Sequence, residues 1–358
     1  MKKELLIVTE TLGVDGPERV ISELVNEWQK KGYQIVVILT RSELGNQRYS
    51  INDSIEIIKV DAHRKGGILS RFNEARGVRK IIKQHPDAVC ISLLVSTSFS
   101  LAIGALGLKN RVILSERNDP NQVPFTKLQR KMRNLSLELA DACVFQTNDA
   151  KEYFSKRIQN KGTIIFNPIN PNLPEIYSGE RKKEIVAVGR LAKQKNFLLL
   201  IKAFASVAKK HPDYKLYIYG EGPERDKLEA EVLKLGLQQN VFMPGFSNNV
   251  YNKMIDSTAY VSSSDYEGMS NSMLEALAMG VPTICTDCPI GGARTVIENG
   301  INGVLTPVGE CDPLTSAILK VIEDESFRIR LSNNAYMIRE KLNINDISEQ
   351  WIKIFEGF

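Results

Sequence analysis

The sequence predicts an α/β protein made of two doubly wound, Rossmann-like domains with parallel sheets. At 358 residues, the chain is too long for one typical core and suits two domains of about 170 residues. Short apolar runs alternate with amphipathic stretches, a pattern typical of parallel βαβ architecture. This pattern stops at a proline-rich segment and then begins again, which indicates two similar domains.

The first domain is predicted over residues 1–170. Its strands are Leu5–Thr9, Gln34–Leu39, Ile55–Val60, Ala88–Ser92, Arg111–Ser115, Ala142–Gln146 and Thr163–Phe166. Helical periodicity is clearest over Glu18–Lys31 and Arg71–Gln84. Residues 167–174 contain three prolines and three asparagines, which restrict the backbone and favour turns, so they form a predicted linker.

The second domain is predicted over residues 171–344. Its strands are Glu184–Val188, Lys215–Tyr219, Val241–Met243, Ala259–Ser262 and Thr283–Cys285. Its helices are Asn196–Lys209, Pro223–Leu235, Ser272–Met279 and a short Thr295–Glu298. A last helix, roughly Ile347–Phe358 within residues 345–358, is expected to cross back to the first domain. Ligands of such sheets bind beyond the carboxyl ends of the strands, so the two domains are expected to face a central cleft.

The composition is that of an ordinary soluble globular enzyme, with 43% hydrophobic and 25% charged residues. No run approaches the ~20 apolar residues of a membrane span. The apolar start of the chain is too short for a signal peptide, so a cytoplasmic protein is expected. The five cysteines do not suggest a disulfide framework, and Cys285 and Cys288 are interpreted as small residues at a buried strand end.

Residues 265–282, DYEGMSNSMLEALAMGVP, form the most informative segment of the chain. Ser270 or Asn271 can cap a short helix there, and Gly280 can end it. The free N–H groups and the positive dipole end at the start of this helix suit a diphosphate. Glu275, about one turn inside, can accept hydrogen bonds from ribose hydroxyls, whereas Glu267 faces a sugar.

This segment resembles the hallmark of glycosyltransferase family 4 and its GT-B relatives: two glutamates with seven residues between them, followed by Gly-Val-Pro. The resemblance implies that Glu267 contacts the donor sugar and Glu275 the ribose. Residues Gly268, Met269, Ser270 and Asn271 are then donor-binding as well. Such isolated glutamates are usually only solvated, but the surrounding motif favours the functional interpretation.

A second segment, VAVGRLAKQKN over residues 186–196, resembles the Gly-Arg-Leu…Lys loop of the family. The resemblance implies that Arg190 and Lys195 clamp the donor diphosphate next to Gly189. Fixed cations stabilise the negative charge that a departing nucleoside diphosphate gains. Lys193 is the alternative for the lysine role.

Other turns follow the family pattern less closely. Gly220 and Gly222, in YGEGPE, resemble a turn that lines the nucleotide pocket, and Phe246 is expected to border the base, with core packing as its alternative. In GVDGPER, only Gly16 is carried over as donor-binding, because Val14 and Asp15 replace the paired glycines of the family.

The acceptor side is predicted at the end of the strand Arg111–Ser115. Arg117, Asn118 and Asp119 are the candidates there. Relatives often have a histidine where this chain has Arg117, which leaves the proton acceptor open. Structural capping by Asn118 or Asp119 is the alternative.

The charge is unevenly distributed. Residues 1–172 carry 26 Lys and Arg against 18 Asp and Glu, whereas the remainder carries 21 against 24. The stretch Phe125–Arg133 mixes cations and apolar residues at helical spacing. The basic first half points to an anionic partner, which is phospholipid, a lipid-linked diphosphate or nucleic acid. With the stretch Phe125–Arg133 it suggests peripheral contact with an anionic membrane that carries a lipid-linked acceptor, and a nucleic-acid partner is not expected. A solvated helix that packs on its own domain is the alternative.

The resemblance implies a retaining transferase that uses a nucleotide diphosphate sugar, most often a UDP-sugar. The acceptor would be a hydroxyl of a glycan or lipid-linked glycan in bacterial surface polysaccharide synthesis. The chain has no Asp-x-Asp and no cluster with metal-ligand spacing, so transfer without a metal or other cofactor is expected. A nucleotide-sugar epimerase or phosphorylase, and a non-catalytic binding module, are the alternatives; a nicotinamide dehydrogenase lacks its glycine fingerprint.

Overall fold

The structure is a computed structural model that describes residues 3–13, 16–41, 51–60 and 68–357. The interpretations that concern Val14 and Asp15 lie outside these described residues. The chain divides into two compact units, the first formed by Met1–Pro168 with Asn343–Phe358 and the second by Ile169–Leu342.

The first unit contains a seven-stranded parallel sheet. Its strands are β1 (Glu4–Thr9), β2 (Gln34–Leu39), β3 (Glu56–Lys59), β4 (Val89–Ser92), β5 (Val112–Glu116), β6 (Ala142–Phe145) and β7 (Gly162–Ile164). They pair in the order β3-β2-β1-β4-β5-β6-β7. The helices are α1 (Gly16–Lys30), α2 (Ile68–Ile82), α3 (Val95–Ala105), α4 (Lys127–Leu139), α5 (Asn148–Glu152) and α6 (Lys156–Asn160).

The second unit contains a six-stranded parallel sheet. Its strands are β8 (Lys182–Val188), β9 (Lys215–Tyr219), β10 (Val241–Gly245), β11 (Ser257–Ser262), β12 (Thr283–Thr286) and β13 (Val304–Thr306), in the order β10-β9-β8-β11-β12-β13. The helices are α7 (Phe197–Lys210), α8 (Arg225–Lys234), α9 (Val250–Met254), α10 (Asn271–Ala278), α11 (Cys311–Glu323), α12 (Glu325–Tyr336) and α13 (Ile338–Lys341).

The doubly wound fold class is confirmed. Every predicted strand is present, with its ends within two residues of the predicted ones. Helix α3 was not predicted, because it is apolar nearly all round and therefore shows no amphipathic period. The predicted helix at Thr295–Glu298 is wrong: hydrogen-bonded turns occupy residues 292–296 instead.

Both sheets reverse their strand order at one point, between β1 and β4 in the first unit and between β8 and β11 in the second. The chain leaves the two strands at such a point in opposite directions, which opens a crevice at their carboxyl ends. In the second unit, the loops that carry Gly189 and Glu267 therefore follow directly paired strands.

The last helix, α14 (Ile344–Glu356), belongs to the first unit, where it packs on α1. Trp351 and Phe355 are fully buried against Trp28, with ring centroids 6.1 and 5.4 Å away. Gly357 ends the helix in a left-handed conformation. Helix α14 is thus part of the core of the first unit. No helix within the described stretches is long and apolar enough to cross a membrane.

We expect Trp351→Ala to lower the free energy of unfolding of the first unit by about 3–5 kcal/mol, because it empties a fully buried site. Urea denaturation followed by far-UV circular dichroism measures this change. Leu69→Ala is the control, because Leu69 is 81% exposed and such a change costs less than about 0.5 kcal/mol. Equal effects of the two substitutions would contradict the packing role of α14.

Candidate active site

Four neighbouring strands of the second unit, β10, β9, β8 and β11, end at one edge of its sheet. The predicted donor-site residues of this unit all follow these strands, since β10, β9, β8 and β11 lead into Phe246, Gly220, Gly189 and Glu267, respectively. The fold therefore places the motifs, which are scattered over about a hundred positions of the sequence, along one edge.

Lys195 and Glu267 form an ion pair at this edge. The Lys195 Nζ donates to Glu267 Oε1, and the Ser264 hydroxyl donates to the same oxygen at 3.1 Å. The two side chains are only 17% and 16% exposed, so water screens the pair less than it would screen a surface pair. The residues assigned to phosphate and to sugar thus lie in direct contact. Lys193, the alternative lysine, is exposed.

The loop that carries Lys195 is joined to the loop before Glu267. Asn196 donates from Nδ2 to Asp265 Oδ1 at 2.7 Å, and the Ser263 hydroxyl donates to the Lys195 carbonyl at 3.0 Å. Asn196 has a positive φ of 43°, a conformation that asparagine tolerates better than most residues. Its side chain also caps α7 by accepting from the Leu199 N–H at 3.2 Å. These bonds hold the backbone under Lys195 in one position.

Glycine is required beneath these loops for two different reasons. A Cβ at Gly189 would lie 2.9 Å from the Lys195 Cε, so the lysine stem occupies the space that a side chain would need. A Cβ at Gly220 would lie 2.0 Å from the Gly189 carbonyl oxygen, and Gly220 has a φ of 142°. Gly222 is equally crowded, because its Cβ would lie 2.4 Å from the Leu191 oxygen.

Helix α10 begins at Asn271, with Ser270 as its N-cap residue. The expected side-chain cap is absent: the Ser270 side chain makes no capping bond, and Asn271 is already inside the helix. The other end is as predicted, with Gly280 at a φ of 65° and the Val281 N–H bonded to the Ala276 oxygen at 2.9 Å. The Ser270 hydroxyl lies instead 3.1 Å from the hydroxyl of Ser272, in the first turn of α10.

Glu275 lies one turn inside α10 and is only 7% exposed. Its Oε1 accepts a hydrogen bond from the Tyr251 hydroxyl at 3.1 Å. A buried carboxylate needs such a partner to offset the loss of hydration. The sequence interpretation missed Tyr251, because it lies on the five-residue helix α9, which has no motif of its own.

The remaining donor-side residues differ in exposure. Phe246 is 49% exposed, which rules out core packing as its role. Arg190 is exposed at the end of β8, whereas Met269 is buried. Gly268 is also buried, and its carbonyl oxygen lies where a Cβ on Gly292 would fall, at 1.9 Å, so the loops after β11 and β12 touch. Gly16 lies in the first unit, as the first residue of α1.

The acceptor-side candidates are engaged within the first unit. Arg117 donates to the Asn167 side chain and lies over the Trp351 ring, 5.7 Å from its centroid; burial lowers the pKa of its guanidinium to about 9. Asp119 is 1% exposed, and its Oδ1 accepts a hydrogen bond from the Asn121 N–H at 2.8 Å. This bond to the backbone is of the kind expected if Asp119 has the structural capping role. Asn118 is half-buried.

Two neighbouring charges, Glu116 and Arg133, are buried as well. Burial raises the pKa of Glu116 to about 7, although Arg133, 3.6 Å away, and the N–H groups of Asn118 and Arg117 oppose the shift. Arg133 also lies over the ring of Phe154. The sequence interpretation counted Arg133 among the cations of an exposed helix face, and this part of the interpretation is wrong. Residues 17 positions apart meet only through the fold.

The cysteines at the edge of the second sheet are structural. Cys285 and Cys288 are buried, and burial raises the pKa of the Cys288 thiol to about 12. Such a thiol is protonated at neutral pH and unreactive. The described residues contain no group of three or more His, Cys, Asp and Glu side chains placed to hold a metal ion.

Comparisons with known proteins agree with this arrangement. Residues 171–337 match the family model described as glycosyl transferases group 1, and residues 14–173 match that of Glycosyltransferase Family 4. Two Campylobacter jejuni enzymes are similar over nearly the full length. One, a GalNAc-alpha-(1->4)-GalNAc-alpha-(1->3)-diNAcBac-PP-undecaprenol alpha-1,4-N-acetyl-D-galactosaminyltransferase, is 26% identical over 98% of both chains. The other, an N-acetylgalactosamine-N,N'-diacetylbacillosaminyl-diphospho-undecaprenol 4-alpha-N-acetylgalactosaminyltransferase, is 28% identical over 93% of this chain and 94% of its own.

Solved structures share the fold at low identity. The Anabaena protein HepE, solved with UDP and glucose, superposes with a TM-score of 0.85 at 18% identity over 100% of both chains. Sucrose-phosphate synthase from Thermosynechococcus elongatus gives 0.87 at 15% identity over 99% of this chain and 98% of its own. The fold and the edge site define a glycosyltransferase of GT-B architecture. With both halves matched by the family models, the chain belongs to glycosyltransferase family 4. These matches do not favour an epimerase or a non-catalytic module.

Substitutions of Gly189 and of Gly220 distinguish an effect on catalysis from an effect on folding stability. We expect Gly189→Ala to displace the flexible Lys195 stem and lower kcat at least roughly tenfold, with less than about 1 kcal/mol lost in stability. Gly220→Ala meets backbone and a positive φ, so its main effect is a loss of stability above about 2 kcal/mol. Steady-state kinetics and urea denaturation measure the two effects. A Gly189→Ala enzyme with unchanged kcat would contradict the expected displacement of Lys195.

Proposed function

We propose that this enzyme transfers a sugar, with retention of anomeric configuration, from a UDP-sugar to a hydroxyl of a glycan or lipid-linked glycan. The observation that carries the proposal is the meeting of Lys195, Glu267 and the amino end of α10 at one sheet edge. UDP is present in the HepE structure, and both Campylobacter relatives are named for undecaprenol-linked substrates.

Each group at the edge has a part in donor binding. The N–H groups that begin α10, with Arg190 and Lys195, hold the diphosphate, because all of them favour negative charge. Glu275 accepts hydrogen bonds from the ribose, and Glu267 from the sugar. The diphosphate competes with Glu267 for Lys195, which frees the carboxylate for the sugar hydroxyls when the donor arrives.

The chemical step needs no enzyme nucleophile. The acceptor oxygen bonds to the anomeric carbon as the bond from that carbon to the diphosphate oxygen breaks, on the same face of the sugar. The acceptor proton passes to the departing phosphate oxygen. Arg190 and Lys195 stabilise the charge that develops on the leaving group, so the charge compensation comes from the chain and requires no metal ion.

The first test is a thermal-shift comparison of UDP-, GDP- and ADP-sugars, followed by turnover with diphospho-undecaprenol-linked glycans. We expect UDP-sugars to stabilise the protein most, and EDTA to leave turnover unchanged. Proton NMR of the product should show the anomeric configuration of the donor sugar. An inverted product, or activity that EDTA abolishes and magnesium restores, would contradict the mechanism.

Substitution of Glu267 tests whether its carboxylate acts in the chemical step or in nucleotide binding. We expect Glu267→Ala to lower kcat by roughly 100-fold or more, since hydrogen bonds to the sugar tighten in the transition state, and to change the UDP Kd by less than about threefold. Steady-state kinetics and calorimetry measure the two values. Glu325→Ala is the control, because its side chain is 78% exposed on α12. A large loss of UDP affinity with kcat retained would assign Glu267 to ground-state binding.

We further propose that the first unit contacts anionic membrane through the start of α4. Phe125 is 75% and Leu128 is 50% exposed there, beside the exposed Lys127 and Lys131. These four residues combine an apolar surface with positive charge, as interfacial helices do. A mostly apolar cavity of about 520 Å³ opens next to Phe125 and Leu128.

Vesicle co-sedimentation tests this contact. We expect binding to rise with the fraction of anionic lipid, and Phe125→Ser with Leu128→Ser to reduce it at least roughly fivefold, because apolar area and charge both contribute. Leu233→Ser is the control, since Leu233 is 65% exposed in the second unit. Binding that ignores both lipid charge and the double substitution would contradict the proposal.

A further inference from the structure

Tyr251 lies between the segment that opens the second unit and the buried carboxylate of α10. Its hydroxyl donates to Glu275 Oε1 at 3.1 Å, and it lies 3.3 Å from the Asn170 Nδ2. Tyr251 itself is half-buried, whereas Glu275 is buried. The motifs of the sequence did not include either Tyr251 or Asn170 among the site residues.

Asn170 determines the direction of the hydrogen bonds that run from Asn170 to Tyr251 and from Tyr251 to Glu275. The Asn172 N–H donates to Asn170 Oδ1 at 2.9 Å, which turns the amide nitrogen of Asn170 toward Tyr251. That nitrogen can only donate, so the Tyr251 oxygen accepts from it and directs its own proton to Glu275. The phenol is therefore oriented as a donor to the carboxylate.

Further hydrogen bonds connect the segment that carries Asn170 with the helix that carries Glu275. Arg339 donates to the Ala278 carbonyl of α10 at 2.7 Å and to the Leu173 carbonyl at 3.0 Å. The Ile169 N–H is bonded to the Leu342 carbonyl at 2.9 Å. The segment that carries Asn170 and the helix that carries Glu275 therefore share Arg339 as a partner, which links the two elements that Tyr251 bridges.

We propose that Tyr251 is a positioning residue for ribose recognition, holding the Glu275 carboxylate in the orientation that accepts hydrogen bonds from the ribose hydroxyls of the donor. This inference rests on the proposed function, because the ribose is that of the nucleotide sugar. A carboxylate has about four acceptor sites, so the bond from Tyr251 leaves capacity for the sugar. Loss of that bond removes one restraint on the Glu275 carboxylate, and ribose binding must then supply it.

The test compares two ligands that differ only in the ribose hydroxyls. Calorimetry on the full chain gives the Kd of UDP and of 2′,3′-dideoxy-UDP. The Kd of 2′,3′-dideoxy-UDP divided by the Kd of UDP is the ribose ratio, which exceeds one when the protein recognises the ribose hydroxyls. We expect Glu275→Ala to reduce this ratio to about one. Tyr251→Phe should reduce it roughly 3- to 10-fold, the worth of one intramolecular hydrogen bond. A residue that only stabilises the fold would lower Tm and leave the ratio unchanged.

Two further variants keep the test decisive. Tyr177→Phe is the matched control, because the Tyr177 hydroxyl donates to the Glu180 carbonyl on the surface of the same unit, and its ratio should equal that of the wild type. Asn170→Ala removes the group that orients the phenol, so it should lower the ratio by a smaller factor even if Tyr251→Phe folds poorly.

The outcomes distinguish this inference from the proposed function. If the ratio falls to about one in Glu275→Ala but keeps its wild-type value in Tyr251→Phe and Asn170→Ala, the positioning role proposed for Tyr251 is contradicted. The assignment of Glu275 to the ribose then stands. If the wild type does not discriminate between the two ligands, or Glu275→Ala still does, Glu275 is not the ribose ligand and this inference is wrong. Sugar transfer is then decided separately, by turnover with the UDP-sugar and the glycan acceptor. A reduced ratio in Tyr251→Phe, together with a ratio of about one in Glu275→Ala, supports the ribose role of Glu275 and the positioning role of Tyr251.

Discussion

The direct pairing of β8 with β11 is the constraint on which the donor side of this enzyme depends. The strand order of the second sheet reverses between these two strands, so the chain leaves them in opposite directions and their loops share one crevice. Asn196 and Asp265 then join the two loops by a 2.7 Å hydrogen bond. Motifs about 70 residues apart become a single site because of this one adjacency.

Within that site, charge and space are arranged around Lys195. The aliphatic part of its side chain lies where Gly189 has no Cβ, and its ammonium group meets Glu267. A half-buried charge without a partner is costly, so the pair lets both groups stay in place in the absence of a donor. In the proposed donor complex the diphosphate takes the place of Glu267 beside Lys195, and the sugar hydroxyls become the partners of the carboxylate.

The first unit uses several of its charges for its own structure. Arg117 lies over Trp351, and Arg133 meets Glu116 within the same unit. These contacts tie α14 and α4 to the end of β5. The positive net charge of this half is therefore not all surface charge.

The sequence by itself determined the fold class, the positions of every described strand except β13 and the glycine end of α10, because strand periodicity and turn chemistry act between residues close together in the chain. Family resemblance added the residues of the motifs. Only the tertiary structure decided that Lys195 meets Glu267, that Tyr251 contacts Glu275, that Arg133 is buried and that residues 292–296 form turns. Such contacts depend on which strands are neighbours and on how much space their side chains leave. Neither quantity has a local signal in the sequence, since the partners are separated by tens of residues.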